Sequence, residues 1–421
     1  MKIAVIGAGS TYTPELVTGF AHVREHLQVD ELALMDINPE RLRVVGDFAS
    51  RILANVQLPI RTSFTADVEE AVTGADAVLI QIRVGGQRMR LLDETLPLQH
   101  GCIGQETTGA GGAMKALRTV PVVLGIADAA RRLAKPDAWI VDFTNPVGIV
   151  SRALQDAGHR SVGLCNYAIG IQRWAAQLLG VEPDRVLANP VGLNHFSWTR
   201  SILLDGEEVL PEILDKHSDA VSERFGFPED LIRRLHAIPS YYLSWYYFHD
   251  RKLAKLKTET PRAAEVQAVE DELLKMYADP RLVERPALLE KRGGAYYSEA
   301  AAELLASLLG DAPRSHVINV RNNGLFAGLA DDDIVETLCA VDRAGVRPVA
   351  QDPMPPIMLG PVQHVLAYER QIAAAAVSGD ETAVKDALLT HPLIGQYDVV
   401  EDMLPELLHA SARYLPAFAR D

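Results

Sequence analysis

Met1-Lys2-Ile3-Ala4-Val5-Ile6-Gly7-Ala8-Gly9-Ser10 opens the chain, and a helical pattern begins near Thr13-Pro14-Glu15. The run to Ile6 is apolar and rich in β-branched residues, which predicts a strand ending in a glycine turn. Strand, glycine turn and helix form the setting in which Gly-x-Gly carries meaning. Glycine lets the turn be tight and lets backbone approach a pyrophosphate. The helix N-terminus then offers that anion unpaired N–H groups. A second strand, Glu31-Leu32-Ala33-Leu34-Met35, ends in Asp36. An acid there accepts hydrogen bonds from ribose hydroxyls and so selects NAD over its 2′-phosphorylated form. Gly7, Gly9, Ser10, Thr11 and Asp36 are the candidate cofactor-binding residues of this turn. Two features depart from the usual fingerprint. Tyr12 stands where a third glycine is expected, and Asp36 follows the glycines at more than the usual ~20 residues. A tight turn without a ligand is the alternative.

A chain of 421 residues has room for two domains. Apolar residues at 48% and charged residues at 23% are ordinary for a globular protein. The net charge of −15, with no basic patch, argues against a nucleic-acid partner. Apolar runs fall short of a bilayer span, and the N-terminus reads as a strand, not a signal peptide. Cys102, Cys165 and Cys339 are too few and too scattered for a disulfide framework. These features predict a cytoplasmic enzyme in a reducing compartment, with no membrane partner.

Residues 1–165 alternate strand-like stretches (2–6, 31–36, 60–64, 77–83, 138–142, 161–165) with helical ones (14–26, 39–54, 67–73, 113–134, 146–157). This rhythm predicts a doubly wound parallel sheet, with functional residues at the carboxyl ends of its strands. Past one such end, Arg83, Arg88 and Arg90 fall close together, suited to phosphate or carboxylate; a solvated cationic loop is the alternative. Gly101 to Gly112, with Gln105-Glu106-Thr107-Thr108 inside it, reads as a mobile or ligand-hugging loop. Asn145, before Pro146, either binds a sugar hydroxyl or caps the next helix. Beyond residue 165 the pattern changes: antiparallel strands at 186–193 and 198–204, helices from 211 to 310, a strand at 316–320, and helices from 361 to 416. The expected division is a nucleotide-binding domain at 1–165 and a catalytic, metal- and substrate-binding domain at 166–421.

Cys165 ends a strand and His195 sits in a turn thirty residues on. Two ligands do not close a zinc site, but with substrate and water oxygens they suit an open divalent site; a buried thiol and a core histidine are the alternatives. Pro239 to Tyr247 holds four tyrosines and a tryptophan. A tyrosine acts as a base only when something, such as a nearby cation, lowers its pKa from about 10.

Together these stretches resemble glycoside hydrolase family 4, the NAD- and metal-dependent glycosidases. The residues that carry the resemblance are Gly7-Ala8-Gly9-Ser10-Thr11-Tyr12-Thr13-Pro14-Glu15-Leu16, Arg83-Val84-Gly85-Gly86 with Arg90 and Asp93-Glu94, Ile103-Gly104-Gln105-Glu106-Thr107-Thr108-Gly109, Phe143-Thr144-Asn145-Pro146, Cys165-Asn166, Gly192-Leu193-Asn194-His195, and Lys291-Arg292-Gly293-Gly294-Ala295-Tyr296-Tyr297-Ser298. The resemblance implies an α/β fold: a Rossmann-type sheet like that of lactate and malate dehydrogenases, followed by an α+β catalytic domain. It implies metal ligation by Cys165 and His195, usually of Mn²⁺, and a tyrosine base, Tyr242 or secondarily Tyr241. It implies Arg83, Glu106 and Asn145 at the cofactor, and Arg90, Asn145, Asn166 and Arg292 at a phosphorylated sugar. Cys-Asn at 165–166 resembles the 6-phospho-β-glucosidases and assigns Asn166 to the catalytic set. Tyr167-Ala168-Ile169-Gly170 departs from the family pattern, which has a proline before Ile-Gly.

The implied reaction oxidises sugar C3 with NAD⁺, removes the acidified C2 proton, eliminates the glycosidic oxygen, adds water at C1 and returns the hydride. The family is a named exception to the two-carboxylate mechanism. The resemblance also implies a homodimer or homotetramer. Alternatives are a family member acting on an unphosphorylated glycoside or uronide, a plain NAD-dependent 2-hydroxy-acid dehydrogenase, and a non-catalytic NAD sensor.

Overall fold

The computed structural model describes residues 1–292 and 297–418, without the side chains of 297–299. Gly293-Gly294-Ala295-Tyr296, and the side chains of Tyr297 and Ser298, lie outside the described residues.

Thirteen strands are described: β1 Lys2–Ile6, β2 Glu31–Met35, β3 Arg61–Thr65, β4 Ala77–Ile80, β5 Trp139–Asp142, β6 Ser161–Leu164, β7 Val186–Leu193, β8 Phe196–Leu204, β9 Glu207–Glu208, β10 Ile238–Pro239, β11 Arg314–Arg321, β12 Ile334–Asp342 and β13 Gly345–Pro348. The first six form a parallel sheet in the order β3-β2-β1-β4-β5-β6. The order reverses beside β1, which is the switch point where α/β sheets bind ligands. Alternate side chains divide cleanly between the two faces. Ile3, Val5, Leu32, Leu34, Ala77 and Leu79 enter one core. Ala4, Ile6, Ala33, Met35, Val78 and Ile80 enter the other. Both faces are covered by helices, so these strands read as unbroken apolar runs.

The helix Gly109–Leu133 lies in the second of these cores. By length and composition it is the one described helix that could cross a bilayer, yet 78% of its most apolar window is buried inside the fold.

The second half of the chain extends the same sheet. β11 pairs antiparallel with β6, and β12 and β13 continue outward, giving nine strands. The sequence reading located β11 but not β12 or β13. A smaller antiparallel sheet of β7, β8, β9 and β10 packs with helices of the 210–235 region in a separate apolar cluster. The turn joining β7 to β8 carries Asn194 and His195.

Two stretches read as loops are helical in part. Gly86–Gln99 is a helix, so Arg88 and Arg90 lie within a helix. Gly109–Gly112 form the first turn of the helix Gly109–Leu133. A Cβ on Gly111 would sit 2.4 Å from the carbonyl oxygens of Asp93 and Gln105, so glycine there serves close backbone packing rather than mobility.

Candidate functional site

The N–H groups of Gly7 and Ala8 both donate to Met35 O, at 2.9 and 2.8 Å, which folds the glycine turn across the end of β2. Gly7 has φ +88°, and a Cβ there would meet Gln81 O at 2.7 Å. The N–H of Gly9 donates to Asp36 Oδ2 at 2.9 Å. Asp36 therefore stands at the turn despite its long spacing, and Asn38 behind it caps the helix Pro39–Asn55. Ser10 Oγ accepts from Tyr12 N–H at 3.3 Å. Thr11 gives its carbonyl to the Tyr277 hydroxyl at 2.9 Å, while its own Oγ1 is buried with no hydrogen-bond partner. Tyr12 lies beneath the Arg292 guanidinium, 4.0 Å from ring centroid to Cζ. Burial pushes its phenol up to about 12. The residue that breaks the fingerprint thus anchors a cation.

Glu106 is the centre of a buried ion cluster. It pairs with Arg83, with Lys115 Nζ at 2.6 Å and with Arg90 Nη2 at 3.2 Å. Burial raises its pKa, but Arg83, Lys115 and Arg90 outweigh burial and hold the carboxyl well below its usual range. Arg90 Nε also donates to Glu94 at 2.7 Å. Arg292 donates to Glu270 through Nε and Nη2, at 2.9 and 2.6 Å, and Arg41 shares that carboxylate at 3.0 Å. The sequence reading gives both arginines to a phosphate; in the structure each is already paired with carboxylates, in two different clusters.

Cys165 follows β6, and His195 occupies the β7–β8 turn with φ +62°. Cys165 Sγ and His195 Nε2 are 3.6 Å apart, and both residues are buried. Burial pulls the imidazole down to about 3, so it is neutral and fit to coordinate. Asn194 donates to Glu336 at 2.9 Å, fixing the turn from below. Tyr242 stacks on the His195 ring, with centroids 3.6 Å apart. Burial, then the charges of Cys165 and Glu106, push its phenol well above the usual value. Tyr241 meets Tyr242 edge-on at 6.0 Å and is 46% exposed, at the rim.

Asn166 precedes the helix Tyr167–Leu179, beside Cys165, and does not cap it through its side chain. Asn145 does not cap the helix Val147–Asp156 either, because Pro146 takes the cap position. Its Oδ1 is buried with no hydrogen-bond partner.

These features fit the two implied groups. A thiol and a neutral imidazole that converge suit a divalent transition ion. Among the described residues no group of three or more His, Cys, Asp or Glu could hold a metal, so this pair leaves coordination positions open. The glycine turn beside Asp36, with the unpartnered Thr11 Oγ1 and Asn145 Oδ1, suits a polyhydroxylated nucleotide. Sequence reasoning missed Lys115, Glu270 and Glu336. Lys115 left a signal: it and Arg118 are the two charges in an otherwise apolar and small-residue stretch from Gly109 to Gly125.

The sequence model of the Family 4 glycosyl hydrolase matches residues 2–181, and that of the Family 4 glycosyl hydrolase C-terminal domain matches residues 190–394. A protein of Bacillus subtilis (strain 168) named "Probable 6-phospho-beta-glucosidase" is 40% identical over 99% of this chain and 98% of its own. The solved structure of the 6-phospho-beta glucosidase from Thermotoga maritima with manganese, NAD+ and glucose-6-phosphate superposes with a TM-score of 0.92, at 34% identity, over 98% of this chain and 99% of that one. Lactate dehydrogenase from Eimeria maxima, at 17% identity and a TM-score of 0.57 over 90% of this chain and 95% of that one, shares the fold alone. The arrangement expected from the glycine turn and the doubly wound sheet is therefore borne out, and the chain belongs to glycosyl hydrolase family 4.

Proposed function

We propose that the protein is a 6-phospho-β-glucosidase that requires NAD and a divalent metal such as Mn²⁺. The observation that carries this reading is the meeting of Cys165, His195 and Tyr242 beyond the carboxyl edge of an NAD-type sheet. The names of full-length relatives, and a solved neighbour holding manganese, NAD+ and glucose-6-phosphate, support it.

Cys165 and His195 hold the metal. Gly7, Gly9, Ser10, Thr11 and Asp36 cradle the dinucleotide, with Arg83, Glu106 and Asn145 toward its reactive end. When bound, NAD⁺ and the metal supply hydride exchange at sugar C3 and Lewis-acid polarisation of the C3 carbonyl. Tyr242 accepts the C2 proton, and the glycosidic oxygen departs from C1. Water adds at C1 and the proton returns to C2; with the hydride given back to C3, the cycle has no net redox change. Asn145 and Asn166 hold sugar hydroxyls. Arg90 and Arg292 face the 6-phosphate, each still donating to its carboxylate. Residues 1–165 carry the nucleotide and also supply Cys165, Arg90 and Asn145, while 166–421 supply His195, Tyr242, Asn166 and Arg292. A cytoplasmic homodimer or homotetramer is the working form.

The test is p-nitrophenol release from the β-glucoside with and without a 6-phosphate, in Mn²⁺ and NAD⁺ under reducing conditions. Release from the phosphorylated form alone, lost in Cys165→Ser or without metal, is expected. Release from the unphosphorylated sugar would overturn the phosphate assignment of Arg90 and Arg292. No release from either, with NADH accumulating on a hydroxy acid, would make the protein a dehydrogenase.

A further inference from the structure

The segment Gln105-Glu106-Thr107 reaches two sites at once. Glu106 enters the cation cluster, while Thr107 turns to His195. The atoms on the Thr107 side fix their own proton positions. The N–H of Thr107 donates to Gln105 Oε1 at 2.5 Å. An N–H cannot donate to an amide NH₂, so that atom is the amide oxygen. The Thr107 hydroxyl lies 2.7 Å from the same oxygen and can only donate to it. A hydroxyl has one proton, so toward any other neighbour Thr107 Oγ1 is an acceptor. His195 Nδ1 is that neighbour, at 2.9 Å. Nδ1 must therefore carry the ring proton. The lone pair is left on Nε2, the nitrogen 3.6 Å from Cys165 Sγ.

We infer that Gln105 and Thr107 are positioning residues: their relay, Gln105 Oε1 to Thr107 Oγ1–H to His195 Nδ1–H, holds His195 in the tautomer that presents Nε2 beside Cys165 before a metal arrives. The inference rests on the reading of Cys165 and His195 as the metal pair. An outer partner on the non-ligating nitrogen sets ring orientation and ligand basicity in metal sites generally. Here the partner is a neutral hydroxyl whose own direction is fixed by an amide. The segment is held firmly enough to act this way. A Cβ on Gly104 would lie 1.8 Å from Glu94 O, and one on Gly112 would lie 2.7 Å from the carbonyl carbon of Thr107. Thr108 Oγ1 is 2.6 Å from the Tyr246 hydroxyl and 3.2 Å from His391 Nε2.

The test uses the full chain with ¹⁵N-labelled histidine, its His195 signals identified by their loss in His195→Gln. In metal-free wild type, long-range ¹H–¹⁵N correlation should show His195 as the Nδ1–H tautomer. An Nε2–H tautomer would overturn the inference. Mn²⁺ affinity by electron paramagnetic resonance should then fall about 10–100-fold in Thr107→Val and return in Thr107→Ser, with NAD affinity unmoved in both. Gln105→Met, which frees the hydroxyl proton, should weaken Mn²⁺ less than Thr107→Val does. Wild-type affinity in Thr107→Val would overturn the positioning role. A Mn²⁺ affinity untouched by His195→Gln would instead overturn the underlying ligand assignment.

Discussion

The imidazole of His195 lies flat against the phenol of Tyr242, with ring centroids 3.6 Å apart and planes 12° from parallel. The stack puts the phenol beside the Cys165–His195 pair, where a bound cation would lower its pKa. Tyr242→Phe keeps the ring and the stack and deletes only the oxygen. Loss of a positioned base costs about 10²–10⁴ in rate, so kcat should fall by that much while Mn²⁺ affinity holds. Exchange of C2 deuterium with solvent, followed by NMR, should disappear with it. Tyr241→Phe, at the rim, should retain most of its turnover. The reverse pattern would make Tyr241 the base.

The two glycines of the first turn should fail differently. Gly7 has φ +88° and lies under the Gln81 carbonyl, so Gly7→Ala meets both strain and backbone. It should lose about 1–3 kcal/mol of stability. A Cβ on Gly9 would instead sit 2.7 Å from Asp36 Oδ2, the end of a side chain that can swing away. Gly9→Ala should leave the melting temperature nearly unchanged. Its NAD affinity should drop by about 1.5–3 kcal/mol, the range for a hydrogen bond to a charged group. Thermal melts and NAD titration together separate the two effects.

These glycines were legible because a strand–turn–helix junction is a local pattern. So were the first six strands, whose apolar runs follow from helices on both faces. The helix Gly86–Gln99 was not legible, because it buries Gln87, Asp93 and Glu94 in ion pairs and hydrogen bonds instead of showing an apolar stripe. β12 hid for a similar reason: Glu336 is buried within it, bonded by Asn194 from the β7–β8 turn. At the candidate site, the residue types of Cys165 and His195 were informative in themselves. The link from His195 to Thr107, 88 residues before it, is a tertiary fact that no spacing encodes.

Arg118 and Asp93 form a bidentate pair at 2.6 and 3.0 Å, with both side chains at most 1% exposed. The pair joins the helix of Arg90 to the helix of Lys115. Burial raises the Asp93 carboxyl to about 6, against the lowering by Arg118. Arg118→Met would strand a buried carboxyl and should cost about 3–5 kcal/mol in urea denaturation. Adding Asp93→Leu removes that stranded group and should recover much of the loss. Simple addition of the two single effects would count against the pair acting as a unit.

Asp142 ends β5, three residues before Asn145. Its Oδ1 accepts the Thr144 N–H at 3.1 Å, and its Oδ2 is buried without a hydrogen-bond partner. Burial pushes the carboxyl up to about 8, against the lowering by Thr144. In the unfolded chain it titrates near 3.9. Between about pH 4 and pH 8 the folded state therefore holds a proton that the unfolded state has released. Asp142 thus contributes its full stability below about pH 4, loses it as pH rises, and has none left above about pH 8. The slope is at most ~1.4 kcal/mol per pH unit. Asp142→Asn is nearly isosteric and never ionises, so its stability lacks this slope. The melting temperature of Asp142→Asn relative to wild type should climb steadily from pH 5 to pH 8. An offset that stays constant across that range would mean that Asp142 is already ionised in the fold, and that its buried oxygen is stabilised by a group other than a proton.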